Sequence, residues 1–145
     1  MNRDILLLSL HPRFATALFS GEKRVELRRT RPRLVKGSKL LAYATAPTSS
    51  LMGTLVVENV LEGSPTKLWP LVKDICGISR AEFFKYFEGA KKAYGIMIED
   101  AHALDEPISL YALRDGNHSF RPPQCYHYVS EDMVTGWVGV EATAT

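Results

Sequence analysis

Gly21-Glu22-Lys23-Arg24-Val25-Glu26-Leu27-Arg28 is the stretch whose reading decides the rest of the chain. From Lys23 to Arg29 the residues alternate: Val25 and Leu27 point one way, and Arg24, Glu26 and Arg28 the other. That is the period of a half-buried strand with a charged face. Ser20-Gly21 just ahead of it reads as the end of a helix, with glycine where a left-handed C-cap is favoured. The charge continues beyond the strand. Gly21 to Lys39 carries eight basic side chains (Lys23, Arg24, Arg28, Arg29, Arg31, Arg33, Lys36 and Lys39) and two acids, Glu22 and Glu26, a local charge of +6. The whole chain sums only to +2, so the other ten basic and fourteen acidic groups leave the remainder at −4. One segment therefore owns the positive field, and such a field draws phosphate backbones. Glu26 sits inside it, where a carboxylate is either paired or put to use.

Working outward, Asp4 to Leu10 is a short apolar run that reads as a buried strand, and His11-Pro12 opens a helix because proline is tolerated in the first turn. Pro32 and Gly37-Ser38 mark a loop. Lys39 to Thr45 and Leu51 to Val60 read as further strands, with Ala46-Pro47 between them. Ser64-Pro65 opens a helix through Ile75, weakened by Pro70 and ended by Cys76-Gly77. Ser79 with Glu82 has the spacing of a capping box, and the helix behind it runs through Phe83, Phe84, Tyr86 and Phe87 to Gly89. Tyr94 to Ile98 and Ile108 to Leu113 read as two strands joined across an acidic turn at Asp105-Glu106-Pro107. Asp115 to Arg121 reads as a loop and Tyr126 to Val129 as a last short strand, while residues 131–145 are ambiguous between packed and free. Strands outnumber helices and the helices are grouped, which is not the regular alternation of a parallel α/β sheet. The expected class is α+β: a mixed sheet, curled or closed into a small barrel, with helices over its openings.

A chain of 145 residues is expected to form one domain, here 1–141 with a tail at 142–145. Hydrophobic residues at 46% and charged residues at 23% place it among ordinary globular proteins. No apolar run approaches the roughly 20 residues of a membrane helix, so no membrane role is expected. Met1-Asn2-Arg3-Asp4 does not resemble a secretory leader. Cys76 and Cys125 are too few for a disulfide scaffold, and no Cys or His cluster has zinc spacing. The expectation is a cytoplasmic protein with no metal and no cofactor.

Four stretches in order resemble the ASCH domain family, a branch of the PUA-like superfamily. Leu8-Ser9-Leu10-His11-Pro12 leads to the family's Gly-x-Lys-x-x-Glu-x-Arg signature, matched by Gly21, Lys23, Glu26 and Arg28. Tyr43-Ala44-Thr45-Ala46-Pro47 with Gly53 is similar to the strand after it. Tyr94-Gly95-Ile96-Met97-Ile98 with Pro107-Ile108 is the third. Arg121-Pro122-Pro123-Gln124-Cys125-Tyr126 is similar to a closing Pro-Pro-Gln-Ser-aromatic segment. The resemblance implies a PUA-like mixed-sheet pseudo-barrel of five to six strands, with a cleft lined by the signature, and work on RNA. Some small members are amidohydrolases of acetylated cytidine and some relatives are described as ribonucleases. The amidohydrolase branch has a threonine three residues after the signature lysine, and this chain has Glu26 there.

The expected cleft is floored by Lys23, Glu26 and Arg28. Lys23 meets a phosphate or acts as a base, the alternative being a solvated strand lysine. Glu26 accepts from a base amino group or orients a water, or it is simply held by Arg28 or Arg24. Arg28 grips a phosphate with both arms of its guanidinium or pairs with Glu26. Arg29 and Arg31, with Arg33, form a rim for a phosphate backbone, or a solvated loop. Tyr43 stacks a base or packs in the core. Thr45 contacts a ligand or caps its own loop. Gln124 and Tyr126, behind a rigid Pro-Pro, complete one wall. The expected partner is RNA or a nucleotide. The alternatives are a metal-independent hydrolase of RNA or of a modified nucleoside, with Lys23 and Glu26 catalytic, and an adaptor that binds protein through the aromatic helix and the acidic residues 99–106.

Overall fold

The structure is a computed structural model that describes residues 4–115, 119–124 and 126–138. The expected tail at 142–145, Val140, His118 and Cys125 lie outside the described residues. The order of elements is β1 (Asp4–Leu10), α1 (Pro12–Ser20), β2 (Val25–Arg28), β3 (Lys39–Ala44), β4 (Ser50–Gly63), α2 (Pro65–Val72), α3 (Arg80–Tyr86), β5 (Ala93–Ser109), α4 (Leu110–Asp115), β6 (Tyr126–Ser130) and α5 (Glu131–Val138). The sheet is mixed and six-stranded, in the order β2-β5-β4-β3-β1-β6. β1 runs parallel to β3, with Leu8 opposite Ala42, and antiparallel to β6, with Leu8 opposite Tyr126. The mixed sheet with flanking helices is as the sequence indicates. It remains open, with β2 and β6 as its edges, so of the two expected forms, curled or closed, the sheet does not take the closed one.

Two segments differ from the sequence reading. Ile108 to Leu113 is not a strand. β5 continues through Asp105-Glu106-Pro107 to Ser109, and α4 follows at once. Proline is compatible with a strand where no ladder N–H is needed, and the neighbouring β4 is itself 14 residues long. The Ser109 hydroxyl then accepts from the Ala112 N–H at 3.1 Å, which is the start signal for α4. Of the ambiguous stretch 131–145, residues 131–138 form α5 by the same device: the Ser130 hydroxyl accepts from the Met133 N–H at 3.1 Å, and Glu131 and Asp132 fill the first turn.

The chain divides into two compact units. One takes the residues up to Ala15, Lys39–Leu55 and the residues from His102 on; the other takes Thr16–Ser38 and Val56–Ala101. Both β4 and β5 therefore contribute to each unit. The first unit is built around Leu7, Leu41, Tyr43, Leu51, Phe120 and Val129. The second is built around Val25, Leu27, Leu68, Val72, Phe83 and Phe87. In the second unit α3 has the full capping box, with the Ser79 hydroxyl accepting from the Glu82 N–H and the Glu82 carboxylate accepting from the Ser79 N–H. Trp69, Phe83, Phe84 and Phe87 interlock at ring separations of 4.8–6.2 Å, so most of the aromatic helix faces its own core.

Candidate functional site

Gly21 and Lys23 are positioned before β2 begins, and Glu26 and Arg28 lie within it. Gly21 has φ +86°, a conformation glycine adopts without a Cβ penalty, and it turns the chain out of α1. The Lys23 N–H then donates to the Ala17 carbonyl at 3.0 Å, and the Arg24 N–H to the Ile75 carbonyl at 2.8 Å. Contact with β5 starts just after Lys23: the Ile98 N–H donates to the Arg24 carbonyl at 2.9 Å, and within β2 Glu26 lies opposite Ile96 and Arg28 opposite Tyr94. Strand alternation places Lys23 on the Val25 face, but Lys23 precedes the strand and is not bound by it. No bulge is needed for its head to reach Glu26.

The result is a row of three charges. Lys23 Nζ lies 3.8 Å from Glu26 Oε1, and an Arg28 guanidinium nitrogen lies 3.0 Å from Glu26 Oε2. The second distance is that of a charge-assisted hydrogen bond; the first is Coulombic contact. Lys23 Nζ donates instead to the Cys76 carbonyl at 2.6 Å. Lys23, Glu26 and Arg28 are only 2%, 5% and 6% exposed. The strand is thus buried on both faces, and the expectation that its charged face is open to solvent is corrected. Taking such ions out of water costs several kcal/mol each before their mutual attraction is counted.

Gly77, with φ +73°, completes the seat. A Cβ placed there would lie 3.4–3.5 Å from the Lys23 Cβ, Cγ and Cδ atoms, so the 76–77 turn lies along the lysine stem while its preceding carbonyl takes the head. The sequence marked Cys76-Gly77 only as a helix end. Its second role became visible once Lys23 was placed. Chemically, the row offers one carboxylate acceptor between an ammonium and a guanidinium, a set that can bind an oxyanion and accept a proton beside it.

The other expected residues are placed differently. Arg29 donates to the Tyr86 carbonyl at 2.7 Å and the Glu88 carbonyl at 3.0 Å, a cation at the C-terminal end of α3. Arg31 pairs with Glu62 at 2.9 Å, and Lys92 reaches the same carboxylate at 3.2 Å. The Lys92 hydrogen bond, aided by the Lys92 and Arg31 charges and a Tyr94 hydrogen bond, holds the Glu62 carboxyl below the usual range. The sequence reading did not single out Glu62 or Lys92. They are distant from Arg31 along the chain and carry no local pattern.

Tyr43, Thr45, Gln124 and Tyr126 belong to the other unit. Tyr43 is 2% exposed and part of the core, the second of the two roles that the sequence left open for it. Burial pushes its phenol upward. The Thr45 N–H donates to the Leu10 carbonyl at 2.9 Å and its carbonyl accepts from the Ser49 N–H at 3.1 Å, which fixes the turn after β3. Gln124 is exposed and Tyr126 half-buried. The Ser9 hydroxyl donates to the Pro123 carbonyl at 2.6 Å, which ties down the Pro-Pro segment ahead of them. Among the described residues, no three His, Cys, Asp or Glu side chains converge as a metal cluster would, and no helix is long and apolar enough to cross a membrane.

Comparison with known proteins places this geometry. The ASCH domain family model matches residues 8–142. The ASCH domain-containing ribonuclease of Zymomonas mobilis subsp. mobilis is 32% identical over 131 residues, covering 90% of this chain and 88% of that protein. The crystal structure of ASCH from Zymomonas mobilis superposes with a TM-score of 0.84 at 31% identity, covering 90% of each chain. A variant of that protein with a tyrosine changed to phenylalanine gives 0.86 at 30% identity, covering 92% of this chain and 96% of the other. Large ribosomal subunit protein uL22 of Ureaplasma parvum serovar 3 is 29% identical over 121 residues, 81% of this chain but 39% of uL22. With a family match that runs through nearly all of its length, this chain belongs to the ASCH domain family.

Proposed function

We propose that this protein acts on RNA: the cationic segment 21–39 draws single-stranded RNA, and Lys23, Glu26 and Arg28 cleave it at a phosphodiester. The observation that carries the reading is Glu26 held between an ammonium and a guanidinium, within 4 Å of both. The ribonuclease name of the Zymomonas relative supports it. So does the +6 segment around the row, because phosphate neutralisation supplies most of the affinity for nucleic acid.

The chemistry follows from the donor set. Arg28 and Lys23 donate to the non-bridging oxygens of the phosphate, where charge develops. Glu26 accepts the proton of the 2′-hydroxyl as that oxygen attacks the adjacent phosphorus. The phosphorus–O5′ bond breaks, and the Lys23 ammonium gives a proton to the departing oxygen. The products are a 2′,3′-cyclic phosphate and a 5′-hydroxyl; Glu26 then releases to solvent the proton it took, and Lys23 regains from solvent the proton it gave. The three heads are 2–6% exposed in the free protein, so this step requires the residues that cover them to move aside when the backbone docks. Arg29 and Arg31 serve the approach of the backbone. In the other unit, exposed Gln124, half-buried Tyr126 and the turn at Thr45 are the RNA contacts we assign.

End-labelled single-stranded RNA, incubated with and without chelator, tests this. Cleavage to fragments ending in 2′,3′-cyclic phosphate is expected. Glu26→Gln is expected to abolish cutting while keeping the wild-type circular dichroism, and Lys23→Met to weaken both cutting and filter binding at low salt. Intact RNA with the wild-type protein, or undiminished cutting by Glu26→Gln, overturns the proposal.

A further inference from the structure

Arg31, Glu62 and Lys92 come from three separate stretches of the chain and meet at one carboxylate. Arg31 follows β2, Glu62 is near the end of β4, and Lys92 stands just ahead of β5. A guanidinium nitrogen of Arg31 lies 2.9 Å from Glu62 Oε2, and Lys92 Nζ lies 3.2 Å from Glu62 Oε1. Each oxygen of the carboxylate thus accepts from its own cation. All three residues belong to the unit that holds the charged row.

The β2–β5 ladder fixes where this cluster stands. Arg28 is opposite Tyr94, and directly opposed residues share a face of the sheet. Tyr94 is therefore on the face of Glu26 and Arg28, and its hydroxyl reaches the Glu62 carboxylate. Because the two strands are antiparallel, Arg31 and Lys92 both leave the ladder at the end that Arg28 and Tyr94 mark. Lys92 is two residues before Tyr94 and Arg31 three after Arg28, so at most about 7 and 11 Å of chain separate them from the row. That is the scale of one nucleotide of a backbone.

The two clusters hold their charge differently. The row is buried, whereas the Arg31, Glu62 and Lys92 side chains are 54%, 37% and 66% exposed. Exposed ion pairs contribute little, so exchanging their carboxylate for another oxyanion costs little. A guanidinium and an ammonium that converge on two oxygens of one anion suit a phosphate as well as a carboxylate. A backbone phosphate also releases counterions as it binds, which the carboxylate does not.

We infer that Arg31 and Lys92 form a second phosphate subsite, held by Glu62 in the free protein, which takes the RNA phosphate next to the one cut at the charged row. The identity of that neighbour rests on the proposed function; the exchange of Glu62 for a phosphate does not. Glu62 then competes with the RNA, and removing its charge strengthens binding.

Filter binding of a uridine oligonucleotide at two salt concentrations reads the exchange. Glu62→Gln is expected to tighten binding about 2- to 30-fold, the strength of two exposed ion pairs that no longer have to be broken. Glu58→Gln, at an exposed carboxylate on the same strand, removes the same charge and is expected to tighten it less. Adding Arg31→Gln and Lys92→Gln to Glu62→Gln should abolish the gain and lower the logarithmic salt slope by about 0.7, the loss of one phosphate contact on a single strand. Equal gains at Glu62 and Glu58, or a triple variant that binds like Glu62→Gln, overturn the subsite. Cleavage of the dinucleotide uridylyl-uridine, alone and with an added 5′- or 3′-phosphate, reads the position. One of the two added phosphates is expected to raise kcat/KM by a similar factor, and the triple variant to lose that advantage. If neither does so while Glu62→Gln still binds tighter, the assignment to the neighbouring phosphate is overturned. If the wild type binds the oligonucleotide but cuts nothing, the proposed reaction has failed, and the binding comparison alone decides the subsite. Absence of binding in every variant overturns both.

Discussion

Arg28 and Arg29 are neighbours in sequence and opposites in circumstance. Arg28 is 6% exposed and its partner is a buried carboxylate; Arg29 is exposed and its partners are two backbone carbonyls. Arg31, a little further on, pairs with an exposed carboxylate that it shares with Lys92. One run of positive charge is thus divided by the end of a short strand. Inside β2 the charges are desolvated and must be satisfied by one another. Past its end they are in water, where an ion pair contributes little. Local charge density does not say which residues carry energy or chemistry; burial does.

The sharpest way to break this contrast is at Glu26. Glu26→Ala leaves two cations facing each other without their carboxylate, and removing one partner of a buried pair costs about 3–5 kcal/mol. Urea unfolding followed by circular dichroism reads that loss directly. Glu26→Gln keeps the shape and one acceptor oxygen, so it should fall short of the alanine variant. A loss below about 1 kcal/mol for Glu26→Ala would place Glu26 with the exposed pairs and remove the distinction.

The seat of Lys23 sharpens the same point at smaller scale. Gly77→Ala places a side chain at φ +73°, at a cost of about 1–2 kcal/mol for the left-handed backbone. The added carbon meets the Lys23 stem at ordinary van der Waals distance, so no further loss is expected. Gly89→Ala is the matched comparison: its φ is +78°, and nothing lies within 4 Å of the added carbon. The two variants should therefore lose equal stability in the same urea assay. A greater loss at Gly77 would mean that the lysine stem cannot give way and that the buried row is held more tightly than its 3.8 Å separation suggests.

How much of this could be read in advance depended on whether the signal was local. Val25 and Leu27 announced the strand, Ser79 and Glu82 announced α3, and the signature announced that Lys23, Glu26 and Arg28 belong together. Each is a pattern within a few residues. The misreadings came where a local pattern had two solutions. Asp105-Glu106-Pro107 is a turn by composition, yet a long neighbouring strand keeps it extended. Ser109 and Ser130 could end a strand or cap a helix, and each does both. The alternation of β2 predicted one wet face because a single strand does not reveal what covers it. The sequence left Tyr43 open between stacking a base and packing in the core, and only the packed core of its unit decided for the core.

The smallest effects lie among the exposed arginines, and acid separates them. Arg29→Ala removes a cation from the end of α3 and should cost about 0.3–1 kcal/mol, as charge–dipole contacts of this kind do. Arg31→Ala should cost less, because Lys92 remains on Glu62. Glu62 has a lowered folded-state pKa, so its contribution is present above the unfolded carboxylate value and is lost as pH falls through the folded one. Below that pH, Glu62 is neutral and Arg31 has no charge to meet, so Arg31→Ala and the wild type should converge. The carbonyls held by Arg29 do not titrate there, so the Arg29→Ala deficit should persist. A deficit at Arg31 that survives acidification would show that its guanidinium acts through something other than Glu62, and that the exposed arginines are not one class.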